Sequence, residues 1–111
     1  MRRKKSILMV DDDESILRTF QRILEKNGYS TDTAKLGKEA KVKMQSNTYD
    51  VALIDLRLPD ADGRELLTKT RANPLMVKIV LTGLPDTEIP VYLEEKKEVD
   101  LLFIKRCLPD I

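Results

Sequence analysis

The chain contains no histidine and only one cysteine, Cys107, among its 111 residues. A single cysteine cannot form an intramolecular disulfide, and without histidine the chain lacks the side chains to build a zinc site. The absence of histidine also excludes the Ser-His and Cys-His pairs of many hydrolases. Any chemistry of this protein must therefore come from carboxylates, hydroxyls and basic side chains.

The net charge does not indicate a nucleic-acid-binding protein, and the lengths of the apolar runs do not indicate a membrane protein. The chain has 20 basic and 19 acidic residues, for a net charge of +1. The basic start, residues 1–5, is too short to supply many phosphate contacts, and we interpret it as a solubilising arm. No apolar run approaches the ~20 residues of a membrane span, and no signal-peptide hydrophobic region follows the basic start. We expect a cytoplasmic protein that binds neither nucleic acid nor membrane.

Hydrophobic residues make up 41% of the chain, and they alternate between short apolar runs and longer amphipathic stretches. Apolar or β-favouring runs predict strands at 6–10, 29–34, 50–54, 76–81 and 101–104. Amphipathic spacing predicts helices at 14–27, at 38–46, from 62 to 73 and around 91–97. This alternation is typical of an α/β fold, a doubly wound parallel sheet covered on both faces. Residues 1–111 are expected to form one domain.

Local signals mark several helix ends. Asp13 is expected to cap the first helix, and Gly28 to stop it. The apolar positions of that helix are expected on one face; they are Ile16, Leu17, Phe20, Ile23 and Leu24. Asp62 followed by Glu65 fits a capping box that opens the third helix.

Acidic residues follow directly where two apolar runs end. Asp11, Asp12 and Asp13 come after the first run, and Asp55 comes after the run at 50–54. In a parallel sheet these ends share one edge, where ligands of doubly wound folds bind. Carboxylates brought together there repel, so a cation, a proton or a phosphoryl-transfer reaction would account for them. Oxygen ligands alone favour Mg²⁺, with Mn²⁺ as a possible substitute.

Each of these residues alone has a structural interpretation, as a cap, a turn or a solvated charge. Thr82 and Lys105 end two later strands at the same predicted edge, and this combination favours a functional site. In this combination the chain resembles the receiver domain of two-component response regulators. The resemblance rests on the segments 7–13, 49–63, 80–83 and 103–105, and covers the chain up to Lys105.

The resemblance implies a flavodoxin-like five-stranded sheet of order 2-1-3-4-5. It implies that Asp55 accepts a phosphoryl group from a phosphohistidine on a sensor histidine kinase or phosphotransfer protein. Asp11 and Asp12 would organise Mg²⁺, with Asp12 binding it directly and Asp11 acting through water. The backbone carbonyl of Arg57 would complete the metal ligands.

The same resemblance assigns the two remaining site residues. Thr82 would hydrogen-bond a phosphoryl oxygen, and Lys105 would pair with the phosphoryl charge. Such a module catalyses only its own phosphorylation and dephosphorylation and is not a turnover enzyme. Its output would pass to a partner protein, or to an output domain that this sequence does not include.

Three departures from the family pattern concern the end of the chain. Arg106 stands where proline usually follows the lysine, and Leu102 stands at the usual aromatic position, with Phe103 one place later. The fifth helix of the family is missing or truncated. We expect the apolar surface that this leaves to be covered by a second subunit, giving a homodimer, or by sequence not included here.

Two alternative functions were weighed. A Mg²⁺-dependent phosphatase of the haloacid-dehalogenase type needs a second Asp two residues after its nucleophile, and Arg57 occupies that position. A receiver-like module that is not phosphorylated and serves only for docking or dimerisation stays open as the alternative. All five expected site side chains are present, which favours the phosphorylated switch.

Overall fold

The computed structural model describes residues 4–55, 58–60, 66, 75–82 and 101–104, of which 81, 82 and 101–104 are described by their backbone. Its elements are β1 (Ser6–Val10), α1 (Glu14–Lys26), β2 (Ser30–Ala34), α2 (Gly37–Ser46), β3 (Val51–Ile54), β4 (Val77–Thr82) and β5 (Leu101–Ile104). The five strands form one parallel sheet of order β2-β1-β3-β4-β5. Both the predicted fold class and the predicted strand order are confirmed.

The boundary between α1 and β2 differs by one residue from the prediction, and the backbone shows why. Gly28 has φ of +90°, and its amide donates to the Glu25 carbonyl at 3.1 Å. The Tyr29 amide donates to the Leu24 carbonyl, also at 3.1 Å. These bonds form a Schellman ending. Because the amide of Tyr29 is engaged by the helix, β2 begins at Ser30.

Three further elements differ from the predictions by one residue at a boundary, whereas β1 and β5 have their predicted bounds. The helix α2 begins at Gly37, β3 begins after Asp50, and β4 runs from Val77 to Thr82. The backbone of Asp50 still bonds both neighbouring strands, because its amide donates to Ser6 and its carbonyl accepts from Val77, each at 2.9 Å. Asp50 therefore still belongs to the sheet by its hydrogen bonds, although β3 begins one residue later.

The core divides into two clusters on opposite faces of the sheet. The larger cluster is on the α2 side and includes Leu8, Val10, Ala40, Ile54 and Val80, all fully buried. The smaller cluster is on the α1 side and consists of Ile7, Met9 and Leu17, with Phe20, Leu24, Val51 and Leu53 packed against it. Alternate residues of β1 pack on opposite faces of the sheet, as expected for a strand covered on both sides.

The apolar face of α1 is narrower than its sequence spacing suggested. Leu17 is buried, whereas Ile23 is 51% exposed. At about 100° per residue, Ile23 lies about 120° around the helix from Leu17, which takes it off the face that contacts the sheet.

Several predictions fall outside the described residues. They concern the capping box at Asp62 and Glu65, the helix around 91–97, the residue after Lys105 and the truncated last helix. Leu66 is described, and it is helical and fully buried. Among the helices that the structure describes, none has both the length and the apolar character needed to cross a bilayer.

Candidate functional site

The backbone places two acidic residues side by side at the C-terminal edge of the sheet. Val10 and Ile54 are register partners in β1 and β3, and Asp11 and Asp55 follow them directly. The Asp55 amide donates to the Val10 carbonyl at 2.9 Å. The Asp11 amide donates in turn to the Ala34 carbonyl at 3.0 Å, on the other neighbouring strand. Both acids are thus held by inter-strand hydrogen bonds rather than by loops.

Three carboxylates converge at this edge. One oxygen from each of Asp11, Asp12 and Asp55 lies within 4.8 Å of the others. Asp11 and Asp55 are each only 4% exposed, whereas Asp12 is exposed. The cluster is therefore buried on the sheet side and open to solvent at Asp12.

The fourth acidic residue, Asp13, has a different role. Its Oδ1 accepts hydrogen bonds from the amides of Ser15, at 2.9 Å, and Ile16, at 3.3 Å. This confirms Asp13 as the N-cap of α1. The Asp13 amide donates to Asp11 Oδ1 at 2.9 Å, so the cap also orients a member of the carboxylate cluster.

The electrostatics of the cluster favour a bound cation. Burial removes Asp11 and Asp55 from water, and their proximity makes each disfavour the charge of the other. A divalent ion would offset that repulsion. The donor set consists of carboxylate oxygens, and the open side leaves room for water ligands, a combination that suits Mg²⁺.

An apolar cleft adjoins the two buried carboxylates. It lies between α1 and the sheet, and Ile16, Leu17, Phe20 and Leu53 contribute to its lining together with Asp11 and Asp55. Such a wall limits hydration from that side and strengthens electrostatic interactions within the site. Among the three clustered acids, Asp12 is the one exposed to solvent.

The structure describes the other predicted site residues only in part. Thr82 ends β4, two residues beyond Val80, the register partner of Ile54, and so lies at the same sheet edge. Ile104, the residue before Lys105, is the register partner of Thr82 in β5. Lys105 itself and Arg57 lie outside the described residues, and only the backbone of Thr82 is described.

Two contacts near the site were not anticipated from the sequence. Glu14 Oε1 lies 2.7 Å from Lys35 Nζ and 3.5 Å from the Arg18 guanidinium, and the hydrogen bond and charge of Lys35, followed by Arg18, lower the pKa of Glu14. This ion pair joins the first turn of α1 to the loop between β2 and α2.

The second contact joins the first turn of α2 to the segment after Asp55. The carboxylate of Asp60 accepts hydrogen bonds from the amides of Gly37 and Lys38. One sequence signal was available, because Leu36 occupies the N-cap position of α2 and its side chain cannot cap a helix.

The chain is similar to known proteins over nearly its whole length. The model of the family described as response regulator receiver domain matches residues 7–100. The alginate biosynthesis transcriptional regulatory protein AlgB of Pseudomonas aeruginosa is 36% identical over 105 residues. That match covers 94% of this chain and 23% of the regulator, so the chain spans less than a quarter of this relative.

Two crystal structures illustrate the likeness in fold. A CheY-like response regulator receiver domain from Methanospirillum hungatei superimposes with a TM-score of 0.87 at 36% identity, covering 96% of this chain and 86% of the other. The response regulator TrrA from Thermotoga maritima, solved in complex with Mg²⁺ and BeF, superimposes with a TM-score of 0.77 at 29% identity. That alignment covers 91% of this chain and 86% of TrrA.

Proposed function

This chain belongs to the response regulator receiver domain family, and from that premise we propose that it is a phosphorylation-controlled signalling switch whose phosphoacceptor is Asp55. We propose further that residues 1–111 act as one receiver domain. The observation that carries the proposal is the convergence of Asp11, Asp12 and Asp55 within 4.8 Å at the C-terminal sheet edge. Two carboxylates that are each 4% exposed and lie this close together favour a cation at the site.

Asp55 is well placed to act as the nucleophile. Its amide is anchored on β1, and its side chain lies at the C-terminal edge of the sheet, beside the exposed Asp12. A carboxylate oxygen of Asp55 would attack the phosphorus of a phosphohistidine on the donor. The new O–P bond forms as the P–N bond breaks, and the electron pair of that bond stays with the imidazole nitrogen. Such a transfer depends on alignment and charge stabilisation more than on covalent assistance.

The remaining side chains would neutralise the charge that the transfer brings together. Asp12 would bind Mg²⁺ directly, Asp11 through water, and Asp55 and the Arg57 carbonyl would complete the protein ligands. When bound, the ion supplies positive charge next to the acceptor oxygen and the incoming phosphoryl oxygens. The complex of the relative TrrA with Mg²⁺ and BeF supports this chemistry for the present site.

Thr82 and Lys105 would hold the phosphoryl group after the transfer. Thr82 would donate a hydrogen bond to one phosphoryl oxygen, and Lys105 would pair with the phosphoryl charge. Their strands support this assignment, since β4 and β5 end at the same edge as β1 and β3. A movement of the loop after Thr82 toward the phosphoryl group would then alter the surface that partners contact.

The donor and the recipient of the signal are proposed by class. A sensor histidine kinase or phosphotransfer protein would supply the phosphoryl group. The signal would pass to a partner protein, to a second copy of the chain, or to an output domain of a longer protein. The last option is supported by the share of its relative AlgB that the chain matches, which is 23%.

The test is phosphorylation by a small-molecule donor. The protein is incubated with acetyl phosphate and Mg²⁺, and its intact mass is measured. We expect one phosphoryl adduct per chain that is stable in acid and labile in base, and that requires Mg²⁺. Asp55→Asn, which keeps the size of the side chain, should acquire none. An unmodified wild-type protein would refute the switch, and phosphate release from many substrates would favour a phosphatase.

A further inference from the structure

The N-terminus of α2 is capped from a distant part of the chain. Leu36, at the N-cap position, makes no capping hydrogen bond. Asp60, 23 residues further along the chain than Gly37, takes over this role. Its Oδ1 accepts from the Gly37 amide at 2.7 Å, and its Oδ2 accepts from the Lys38 amide at 3.2 Å. One carboxylate thus satisfies two of the amides that a helix start leaves without partners.

The charge of Asp60 strengthens this contact. The hydrogen bond from the Gly37 amide, with that from Lys38, lowers the pKa of the Asp60 carboxyl despite some loss of hydration. The carboxylate also faces the positive end of the α2 dipole. The contact is therefore charge-assisted at neutral pH, although Asp60 itself is exposed.

Asp60 belongs to the segment that leaves the candidate site. This segment is anchored first at Asp55, through its hydrogen bond to β1. It is anchored again at Leu58, which is 8% exposed and packs in the same cluster as Ile54. The contact of Asp60 with α2 is the third anchor. In the sequence, positions 56 and 57 lie between the first two anchors.

We propose that Asp60 is a positioning residue, which fastens the segment after Asp55 to the first turn of α2 and thereby couples that helix to metal binding. The inference rests on the proposed function in one respect, namely that the carbonyl of Arg57 is a ligand of Mg²⁺. Asp60 itself touches neither the metal nor the phosphoryl group.

Coupling of this kind is reciprocal. If the contact of Asp60 with α2 favours metal binding, then metal binding must favour the contact to the same extent. Mg²⁺ should therefore slow the hydrogen exchange of the Gly37 and Lys38 amides, although α2 supplies no ligand. A cap that served only the stability of α2 would give no response beyond the general slowing that Mg²⁺ binding gives to amides exchanging through global unfolding.

The experiment follows amide exchange and Mg²⁺ affinity in four proteins. Hydrogen exchange at Gly37 and Lys38 is measured by NMR with and without Mg²⁺, and Mg²⁺ affinity is measured by calorimetric titration. The variants are Asp60→Ala, Asp60→Asn and Glu39→Ala, compared with the wild type. Asn retains an acceptor oxygen and is a good cap. Glu39 is an exposed acid in the first turn of the same helix, so its variant removes a similar charge.

We expect Mg²⁺ to protect the two amides in the wild type, in Glu39→Ala and, to a large extent, in Asp60→Asn. Asp60→Ala should lose this protection and bind Mg²⁺ about fivefold more weakly or worse. An Asp60→Ala protein that binds Mg²⁺ as tightly as the wild type would overturn the inference, whatever its stability. So would wild-type amides that do not respond to Mg²⁺.

Failure of the proposed function gives a different result. In that case the wild type takes no phosphoryl group from acetyl phosphate, while the effect of Asp60 on Mg²⁺ binding and amide exchange persists. Normal phosphorylation together with unchanged Mg²⁺ affinity in Asp60→Ala refutes the positioning role alone.

Discussion

Replacement of Asp11 with asparagine should stabilise the metal-free protein while weakening its response to Mg²⁺. Asp11 and Asp55 are both buried, and their oxygens lie within 4.8 Å. Two unit charges at 4.8 Å repel by about 3.5 kcal/mol at an effective dielectric constant of about 20. Asparagine has the same shape, and its Oδ1 can still accept the hydrogen bond from the Asp13 amide. The substitution therefore removes the repulsion between Asp11 and Asp55 and keeps the hydrogen bond from the Asp13 amide.

We expect a net gain of about 2 kcal/mol, because counterions and the solvent at the open side already screen part of the repulsion. For a chain of this length, that corresponds to a rise in Tm of about 8 °C in EDTA. Mg²⁺ should reverse the ranking. At about 30 times its Kd, Mg²⁺ stabilises the wild type by about 2 kcal/mol, which equals the gain of the variant, and at higher concentrations by more. The variant, with one acidic residue fewer in the cluster, should gain much less.

The assay is urea and thermal unfolding followed by circular dichroism, in EDTA and across a series of Mg²⁺ concentrations. The matched control is Asp13→Asn, which removes a neighbouring charge from outside the cluster and keeps a good N-cap. That variant should gain little in EDTA and respond to Mg²⁺ as the wild type does. If Asp11→Asn were less stable than the wild type in EDTA, or if its response to Mg²⁺ were undiminished, the electrostatic account of the cluster would be wrong.

Two further predictions concern parts of the fold away from the cluster. Gly28→Ala should lower the free energy of unfolding in urea by about 1 kcal/mol, because φ at this position is +90°. The added Cβ would meet nothing within 4 Å, so backbone strain alone sets this cost. An unchanged urea midpoint would contradict the prediction. Burial and the 2.6 Å hydrogen bond to Asp32 Oδ2 raise the pKa of Tyr49. Because the pKa of Tyr49 is higher in the folded than in the unfolded state, where it is about 10, the protonated side chain stabilises the fold fully below pH ~10, and this contribution is lost as the pH rises further. Ultraviolet titration should show a late-ionising tyrosine that is absent in Tyr49→Phe.

The cap of α1 and the edge at which the acids meet could be inferred from the sequence pattern, and the resemblance to receiver domains implied the strand order. The apolar runs before Asp11 and Asp55 predict parallel strands, and a parallel sheet brings such strand ends together. Asp13 and Gly28 act on amides or dihedral angles within a few residues of themselves, so a local pattern suffices to identify them. The similarity of residues 7–100 to receiver domains confirms the family that these motifs indicated.

Other features depend on partners that are distant in the sequence. Asp60 and the amide of Gly37 are 23 positions apart, and Asp32 and Tyr49 are 17 apart. No periodicity relates such pairs, because their contact results from how α2 and the loops pack on the sheet. The exposure of Ile23 has a similar origin, since spacing identifies an apolar face but not how much of it the sheet can cover.

The sequence by itself determined which residues are available at the edge of the sheet, because the alternation of strands and helices orders the strand ends. The tertiary structure decided how these residues are held there. It placed the oxygens of Asp11, Asp12 and Asp55 within 4.8 Å of one another, and it connected the segment after Asp55 to α2 through Asp60. Such distances follow from the packing of whole elements, and metal affinity and coupling depend on them more strongly than on residue type.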